Sequence, residues 1–300
     1  MTTFKKKLKV WLEEGTLCAQ LFRLKNPVGA VLLFLPCVWG LLLASSGKIL
    51  WFEIILFAVG AFLARSVGCA YNDWVDTDID KKVERTKTRP LAAGKLPVLH
   101  AIFASLALVA LSFLILFQLS PLAIYTGFLL AFATLFYPWL KRFTHWPQLY
   151  LGFLFTGGVW VAWFHLHDGF EDLTLSPLLL YTAGVLWTLY YDTIYAYQDW
   201  QDDKKIGVKS TALLWQKKPK PFLMCLVALM GTLFCWLGVY ENLTGAYYAC
   251  IGLSLLWFLY QVKRFKRDDK HMARNLFLEN QGIGFLLALA LYAGFIARPF

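Results

Sequence analysis

An all-α integral membrane protein is the fold class this sequence predicts, and three observations predict it. Its 300 residues are 59% hydrophobic and 17% aromatic, with only 16% charged, and mean hydropathy is +0.55. Ordinary soluble domains do not carry this balance. Apolar runs at 98–117, 246–260 and 283–296 reach, with their flanks, the length that crosses a bilayer. Basic residues then fall on one side of the membrane when the runs are threaded through it.

The element order starts at the N-terminus. Residues 1–27 carry Lys5, Lys6, Lys7 and Lys9 with interspersed apolar residues and no cleavable signal pattern. They predict an amphipathic, basic segment lying on the cytoplasmic membrane surface. Residues 28–300 then form one polytopic domain. About nine spans are expected, near 28–46, 51–71, 98–117, 121–140, 148–166, 177–197, 221–240, 243–262 and 277–297.

With the N-terminus inside, every basic residue except Lys48, Arg65 and Arg298 lies at or near an inner segment. The outer loops instead hold Glu53, Asp168, Glu171, Asp172 and Glu241. This is the positive-inside bias. The net charge of +10 is spread over short loops rather than one basic domain. It therefore fits membrane lipid and argues against nucleic acid as a partner. Six cysteines without a C-x-x-C pair read as buried free thiols, not a disulfide or zinc framework.

Polar residues in an apolar chain carry the functional signal. Asn72, Asp73, Asp76, Asp78 and Asp80 crowd the inner end of the second span. Asp73, Asp76 and Asp80 are three and four apart, so on a helix they share a face, from which Asp78 points away. Such crowding needs a compensating cation, and hard oxygen ligands suit Mg2+ bridging to phosphate. A second cluster, Asp192, Asp199 and Asp203, follows the sixth span at helical spacing, with Tyr195 on its stripe and Asp202 off it. The two clusters echo each other as Asp-Trp motifs followed by paired lysines, a hint of internal duplication. Metal, cations and an apolar bundle together suit a diphosphate leaving group on a long apolar tail.

Further basic sets are Lys141-Arg142, between Tyr137-Pro138 and Pro147, and Arg23 with Asn26 before Pro27. Each serves equally well as a positive-inside anchor. His145, His165 and His167 share no helical face and suggest no metal. A secondary transporter is the reading from another class, but its sites lie near the midplane, whereas these acids gather at one face.

These motifs resemble the UbiA-type membrane polyprenyltransferases. Asn72-Asp73-x-x-Asp76-x-x-x-Asp80 is similar to the family's first aspartate motif, with Arg85-Thr86-x-x-Arg89-Pro90 downstream. Asp192-x-x-Tyr195-Ala196-x-x-Asp199-x-x-Asp202-Asp203 resembles the second, continuing through Gly207-x-Lys209-Ser210-Thr211. The segments at 137–148 and Arg23-x-x-x-Pro27-x-Gly29 resemble the 4-hydroxybenzoate branch in particular.

The resemblance implies helices bundled around a central cavity and two Mg2+ ions between the motifs. It implies a polyprenyl diphosphate donor, 4-hydroxybenzoate as acceptor and a bacterial inner-membrane location with the site facing the cytoplasm. Asn72, Asp73, Asp76, Asp80, Asp199 and Asp203 become the candidate metal ligands. Lys141, Arg142, Lys204 and Lys209 become candidates for diphosphate contact. Arg23, Asn26, Arg65, Arg142 and Tyr195 are candidates for holding the acceptor or orienting the diphosphate. Asp192 is the candidate base for the ring proton. Naphthoate, haem or chlorophyll-precursor acceptors are the alternatives within the same chemistry.

Overall fold

The computed structural model describes residues 2–167 and 169–297, with side chains from residue 12 onward. Lys5 to Lys9 as side chains, Asp168 and Arg298 lie outside the described set, and so does the polar face expected of the N-terminal helix. The described residues form helices only. In chain order these are α1 (Thr2–Leu21), α2 (Val28–Ala44), α3 (Trp51–Val75), α4 (Thr77–Asp80) and α5 (Val98–Leu116). Next come α6 (Pro121–Thr134), α7 (Tyr137–Phe143), α8 (Pro147–Thr156), α9 (Gly158–Leu166) and α10 (Leu175–Ala196). The last are α11 (Trp200–Ile206), α12 (Thr211–Leu214), α13 (Pro219–Tyr240), α14 (Gly245–Arg264) and α15 (Lys270–Ile296).

The boundaries follow local chemistry. Pro121, Pro147 and Pro219 open their helices, where a missing N–H costs nothing. Asp269 accepts from the Met272 N–H at 2.8 Å and so caps α15. Gly207, at φ +76°, ends α11 in the left-handed conformation.

By length and composition, six helical segments qualify to cross a membrane: α3, α5, α8 with α9, α13, α14 and α15. A seventh forms if α6 and α7, bent by 42°, count as one broken span. About nine were expected, and the other two correspond to α2 and α10. At 17 residues, α2 is short, and α10 is diluted by Tyr190, Tyr191, Asp192, Thr193 and Tyr195. The chain is a multi-pass, all-helical membrane protein.

The centre of the bundle is where α2, α9, α10 and α15 meet. Trp39 on α2 and Trp187 on α10 are fully buried with ring centroids 4.8 Å apart. Trp39 Nε1 donates to the Gly284 carbonyl on α15 at 3.0 Å. Gly40 lets α9 approach closely, since a Cβ there would meet the Val159 backbone at 2.9 Å.

A polar network ties α10 to the C-terminal pair. Trp187 Nε1 donates to Asn280 Oδ1 at 3.1 Å, and Gln261 Nε2 donates to Glu279 Oε2 at 3.0 Å. Asn280 and Gln261 are joined at 3.4 Å, and Arg264 pairs with Glu279 at 2.7 Å. Buried polar groups satisfied in this way fix helix register as well as adding attraction. This framework holds one end of the second carboxylate cluster.

α5 stands apart from that centre. Ala101 is its only buried residue. Its inner residues, Phe113 and Leu116 among them, nevertheless line the main cavity, so this wall is one helix thick.

Candidate active site

Both carboxylate clusters face one cavity of about 760 Å³. Along α3 that cavity is bordered by Phe57 at one level and Asn72 at another. Fifteen residues of helix separate these by about 22 Å. The deep part is apolar, lined by Leu33, Cys37, Phe57, Leu119 and Val161, and the charged residues gather at the other end.

The first cluster does not lie on one uninterrupted helix. α3 ends at Val75, Asp76 occupies the junction at φ −94° and ψ 8°, and α4 starts at Thr77. Helical spacing survives the break. The Asp76 N–H donates to the Asn72 carbonyl at 2.9 Å, and the Asp80 N–H donates to the Asp76 carbonyl at 2.8 Å. Asn72, Asp76 and Asp80 therefore remain one turn apart on a shared face. Asp78 points away, exposed and paired with Lys81 at 3.1 Å.

Each buried acid of this cluster is held by a cation from elsewhere in the chain. Arg23 Nη2 donates to both oxygens of Asp73, at 2.8 and 2.7 Å. Arg89 Nη1 bridges Asp73 and Asp80 at 2.8 Å each. Lys141 on α7 donates a hydrogen bond to Asp76 Oδ2. Asp73, Asp76 and Asp80 are only 2%, 0% and 5% exposed. Burial raises the pKa of Asp76 and Asp80 despite these cations. Arg23 reaches inward from a left-handed backbone, at φ +58°. That cost, of order 1–3 kcal/mol for a non-glycine residue, clusters at functional sites.

The second cluster is looser. α10 stops at Ala196, and i→i+3 bonds, Gln198 N–H to the Tyr195 carbonyl and Asp199 N–H to the Ala196 carbonyl, tighten the chain before α11. Asp192 and Tyr195 thus stand on α10, Asp199 directly precedes α11 and Asp203 lies within it. Arg85 Nε lies 3.0 Å from both oxygens of Asp199. The same guanidinium donates through Nη1 to the Tyr195 hydroxyl at 2.9 Å. Burial, then the neighbouring Asp199 charge, push the Asp203 carboxyl up to about 7.

Most of the residues singled out from the sequence share this cavity. Arg23, Asn26, Arg65, Asn72, Asp73, Asp80, Lys141, Asp192, Tyr195, Asp199, Asp203 and Lys209 line it. Asp76 sits just behind the wall, with its Oδ1 buried and without a hydrogen-bond partner. Arg142 lies outside the lining, stacked 4.5 Å over Trp139 and donating to the Val75 carbonyl at 3.2 Å. Lys204 is exposed and also outside it. Lys209 ties the motifs together, its backbone N–H donating to the Lys141 carbonyl at 2.8 Å. Arg65 packs against Gly29 and 5.6 Å over Phe155, with its Nε buried and unpartnered.

Two contributors were missed as individual site residues, Arg85 and Arg89. They follow the first acidic cluster among four other basic residues, Lys81, Lys82, Lys87 and Lys95, and so read as topology charge. Their place within the Arg85-Thr86-x-x-Arg89 motif was the available signal.

Among the described residues, no three His, Cys, Asp or Glu side chains converge into a ready-made metal cage. Mg2+ does not require one, since it takes one or two carboxylates plus water and substrate phosphate. The donor set here is hard oxygen, and Asp76 Oδ1 has no partner within the protein. The residues fit Mg2+.

Comparison with known proteins agrees with this geometry. A family model described as the UbiA prenyltransferase family matches residues 33–293. A 4-hydroxybenzoate octaprenyltransferase of Vibrio parahaemolyticus is 37% identical over 279 residues, which cover 92% of this chain and 96% of the relative. A mitochondrial 4-hydroxybenzoate polyprenyltransferase of Drosophila pseudoobscura is 38% identical, covering 93% of this chain and 70% of the relative. Among solved structures, a UbiA homologue from Aeropyrum pernix is 25% identical with a TM-score of 0.70, covering 89% of this chain and 96% of that one. A UbiA homologue from Archaeoglobus fulgidus, solved with GPP and Mg2+, shares the fold at 18% identity and a TM-score of 0.71, covering 94% and 100%. Paired carboxylate clusters over an apolar cavity, together with a match along most of its length, place this chain in the UbiA prenyltransferase family.

Proposed function

We propose that this protein is a 4-hydroxybenzoate polyprenyltransferase that makes 3-polyprenyl-4-hydroxybenzoate for ubiquinone biosynthesis. The observation that carries the reading is the two-ended cavity. Its charged end suits a diphosphate and its apolar end suits a polyprenyl tail. The names of relatives matched along more than 90% of this chain support the acceptor.

Asn72, Asp73, Asp76, Asp80, Asp199 and Asp203 would hold Mg2+, which supplies charge neutralisation to a departing diphosphate. Lys141 and Lys209 line the same end and neutralise the remaining negative charge. The allylic C–O bond breaks, and its electron pair leaves with the diphosphate. The acceptor ring carbon ortho to the hydroxyl then bonds to the allylic carbon. A carboxylate takes the ring proton, and Asp192, on the cavity wall one turn from Tyr195, is placed to do so.

Arg65 is the better choice for the acceptor carboxylate. Arg23 and Arg85 are engaged by Asp73 and Asp199, whereas the Nε of Arg65 has no partner. Residues 1–27 form a surface segment, and 28–300 the catalytic membrane domain. The basic inner loops support an orientation with the N-terminus and site on the cytoplasmic side, and the bacterial relatives support a bacterial inner-membrane location.

Membranes containing the protein, given labelled polyprenyl diphosphate and Mg2+, are expected to prenylate 4-hydroxybenzoate. A naphthoate, a haem precursor or a chlorophyll precursor is expected to accept far less label. Product from one of those, with none from 4-hydroxybenzoate, would transfer the protein to another branch of the family.

A further inference from the structure

The two clusters differ in what they leave available to a metal. In the first, Asp76 keeps one oxygen free of hydrogen bonds. In the second, both oxygens of Asp199 are taken by one guanidinium, with Arg85 Nε at 3.0 Å from each. A forked contact of that kind uses the carboxylate directions a metal would need. Arg85 is also held from its other side. It donates to the Tyr195 hydroxyl at 2.9 Å, and its Cζ sits 5.2 Å from the Tyr195 ring centroid. That ring is backed by Phe277 of α15, with centroids 4.5 Å apart. Arg85 reaches this position from the segment after α4, 114 residues away in sequence from Asp199. It lines the cavity there.

We propose that Arg85 is parked on Asp199 and Tyr195 and must swing off before Asp199 accepts a metal, so that the second metal and the diphosphate load together. The inference rests on the reading of this cavity as a Mg2+–diphosphate site and goes beyond it, to the order in which the site fills. A metal arriving alone must displace a bidentate cation. A diphosphate arriving with the metal offers that cation a new partner, because the planar guanidinium fits phosphate oxygens. Coupling of this kind is reciprocal, so metal tightens donor binding by the same factor. Tyr195 then acts as a positioning residue for Arg85, and Phe277 holds Tyr195.

The test uses the full chain in lipid nanodiscs. Mn2+ is the EPR-visible stand-in for Mg2+, titrated with and without a polyprenyl thiodiphosphate. In the wild type, the analogue is expected to tighten the weaker Mn2+ site about ten-fold, the effect of one charge-assisted bond exchanged. Arg85→Gln is expected to tighten that site about ten-fold without any analogue and to cut the enhancement to about two-fold. Lys204→Gln, which removes one charge outside the cavity lining, controls for simple electrostatics. Tyr195→Phe conserves charge and is expected to move Mn2+ affinity in the same direction as Arg85→Gln, by less.

Equal shifts in Arg85→Gln and Lys204→Gln, or weaker Mn2+ binding in Arg85→Gln, would overturn the proposal. A Tyr195→Phe titration identical to wild type would remove Tyr195 from it. Failure of the wild type itself to bind Mn2+ and analogue together would instead overturn the functional reading beneath it.

Discussion

The segments around Asp76 and Asp199 look like repeats in sequence, yet they are built to different tolerances. Around Asp76 the acids are nearly inaccessible, and three cations from separate elements, Arg23, Arg89 and Lys141, grip them. Around Asp199 there is one such grip, by Arg85, and the paired side chains are 35% and 14% exposed. The first cluster is locked into the bundle by its counterions, and the second is held more loosely. Similar motifs thus do not imply equal roles, because burial and counterions decide how much each carboxylate can give up.

That contrast can be broken most directly by Asp76→Asn or Asp80→Asn. Loss of a buried, preorganised charge at the reacting end is expected to lower kcat/KM by about a thousand-fold. Activity within ten-fold of wild type in both variants, measured with labelled donor, would make the first cluster dispensable. Arg89→Gln probes rigidity rather than chemistry. It strands the buried Asp80 carboxylate and leaves Asp73 to Arg23 alone, and is expected to cost about 3 kcal/mol of stability. Arg85→Gln, at a more exposed pair, is expected to cost under about 1 kcal/mol. Unfolding of both variants in the same detergent checks the ranking, and equal losses would erase the distinction between the clusters.

Asp203 sharpens the comparison through pH. Its carboxyl, pushed up to about 7, carries a proton below that pH and must release it to bind a metal. The Mg2+ concentration for half-maximal rate is therefore expected to rise as pH falls from 8 to 6, by about ten-fold per unit once below 7. Asp203→Asn is expected to flatten that dependence. The smallest effect belongs to Asp78→Asn, which touches only the exposed Lys81. It is expected to change activity less than about two-fold and stability by under about 0.5 kcal/mol.

Much of this was legible in the sequence. Carboxylates at a three- and four-residue spacing beside an apolar run announce themselves, because an unpaired acid in such a setting is costly. Asp76, Asp80 and Asp199 stand out in that way, and Asp78 falls off the shared face by the same geometry. The pairing of acids with cations was not legible. Arg85 reaches Asp199 across 114 positions, and Lys141 reaches Asp76 across 65. Apart from the Arg85-Thr86-x-x-Arg89 motif, nothing local distinguishes such an arginine from one that orients a loop. The break at Asp76 and the tightened turn before Asp199 leave no mark in the sequence, since neither holds a proline or glycine. Gln261 on α14 and the adjacent Glu279 and Asn280 on α15 carry no motif that links them in sequence. Only their convergence on Trp187 reveals a network.

α5 has one buried residue along its whole length, and its inner side walls the cavity. Its two faces therefore answer to different selective rules. On the outward face only solubility in hydrocarbon matters, so leucine, isoleucine, valine and phenylalanine are interchangeable there and a charge is rejected. On the inward face each side chain sets the width of a channel, and a swap of equal hydropathy but different bulk changes which tail can enter. A saturation library across this helix would separate into a permissive stripe and a size-sensitive one, with the boundary between them tracing the edge of the cavity.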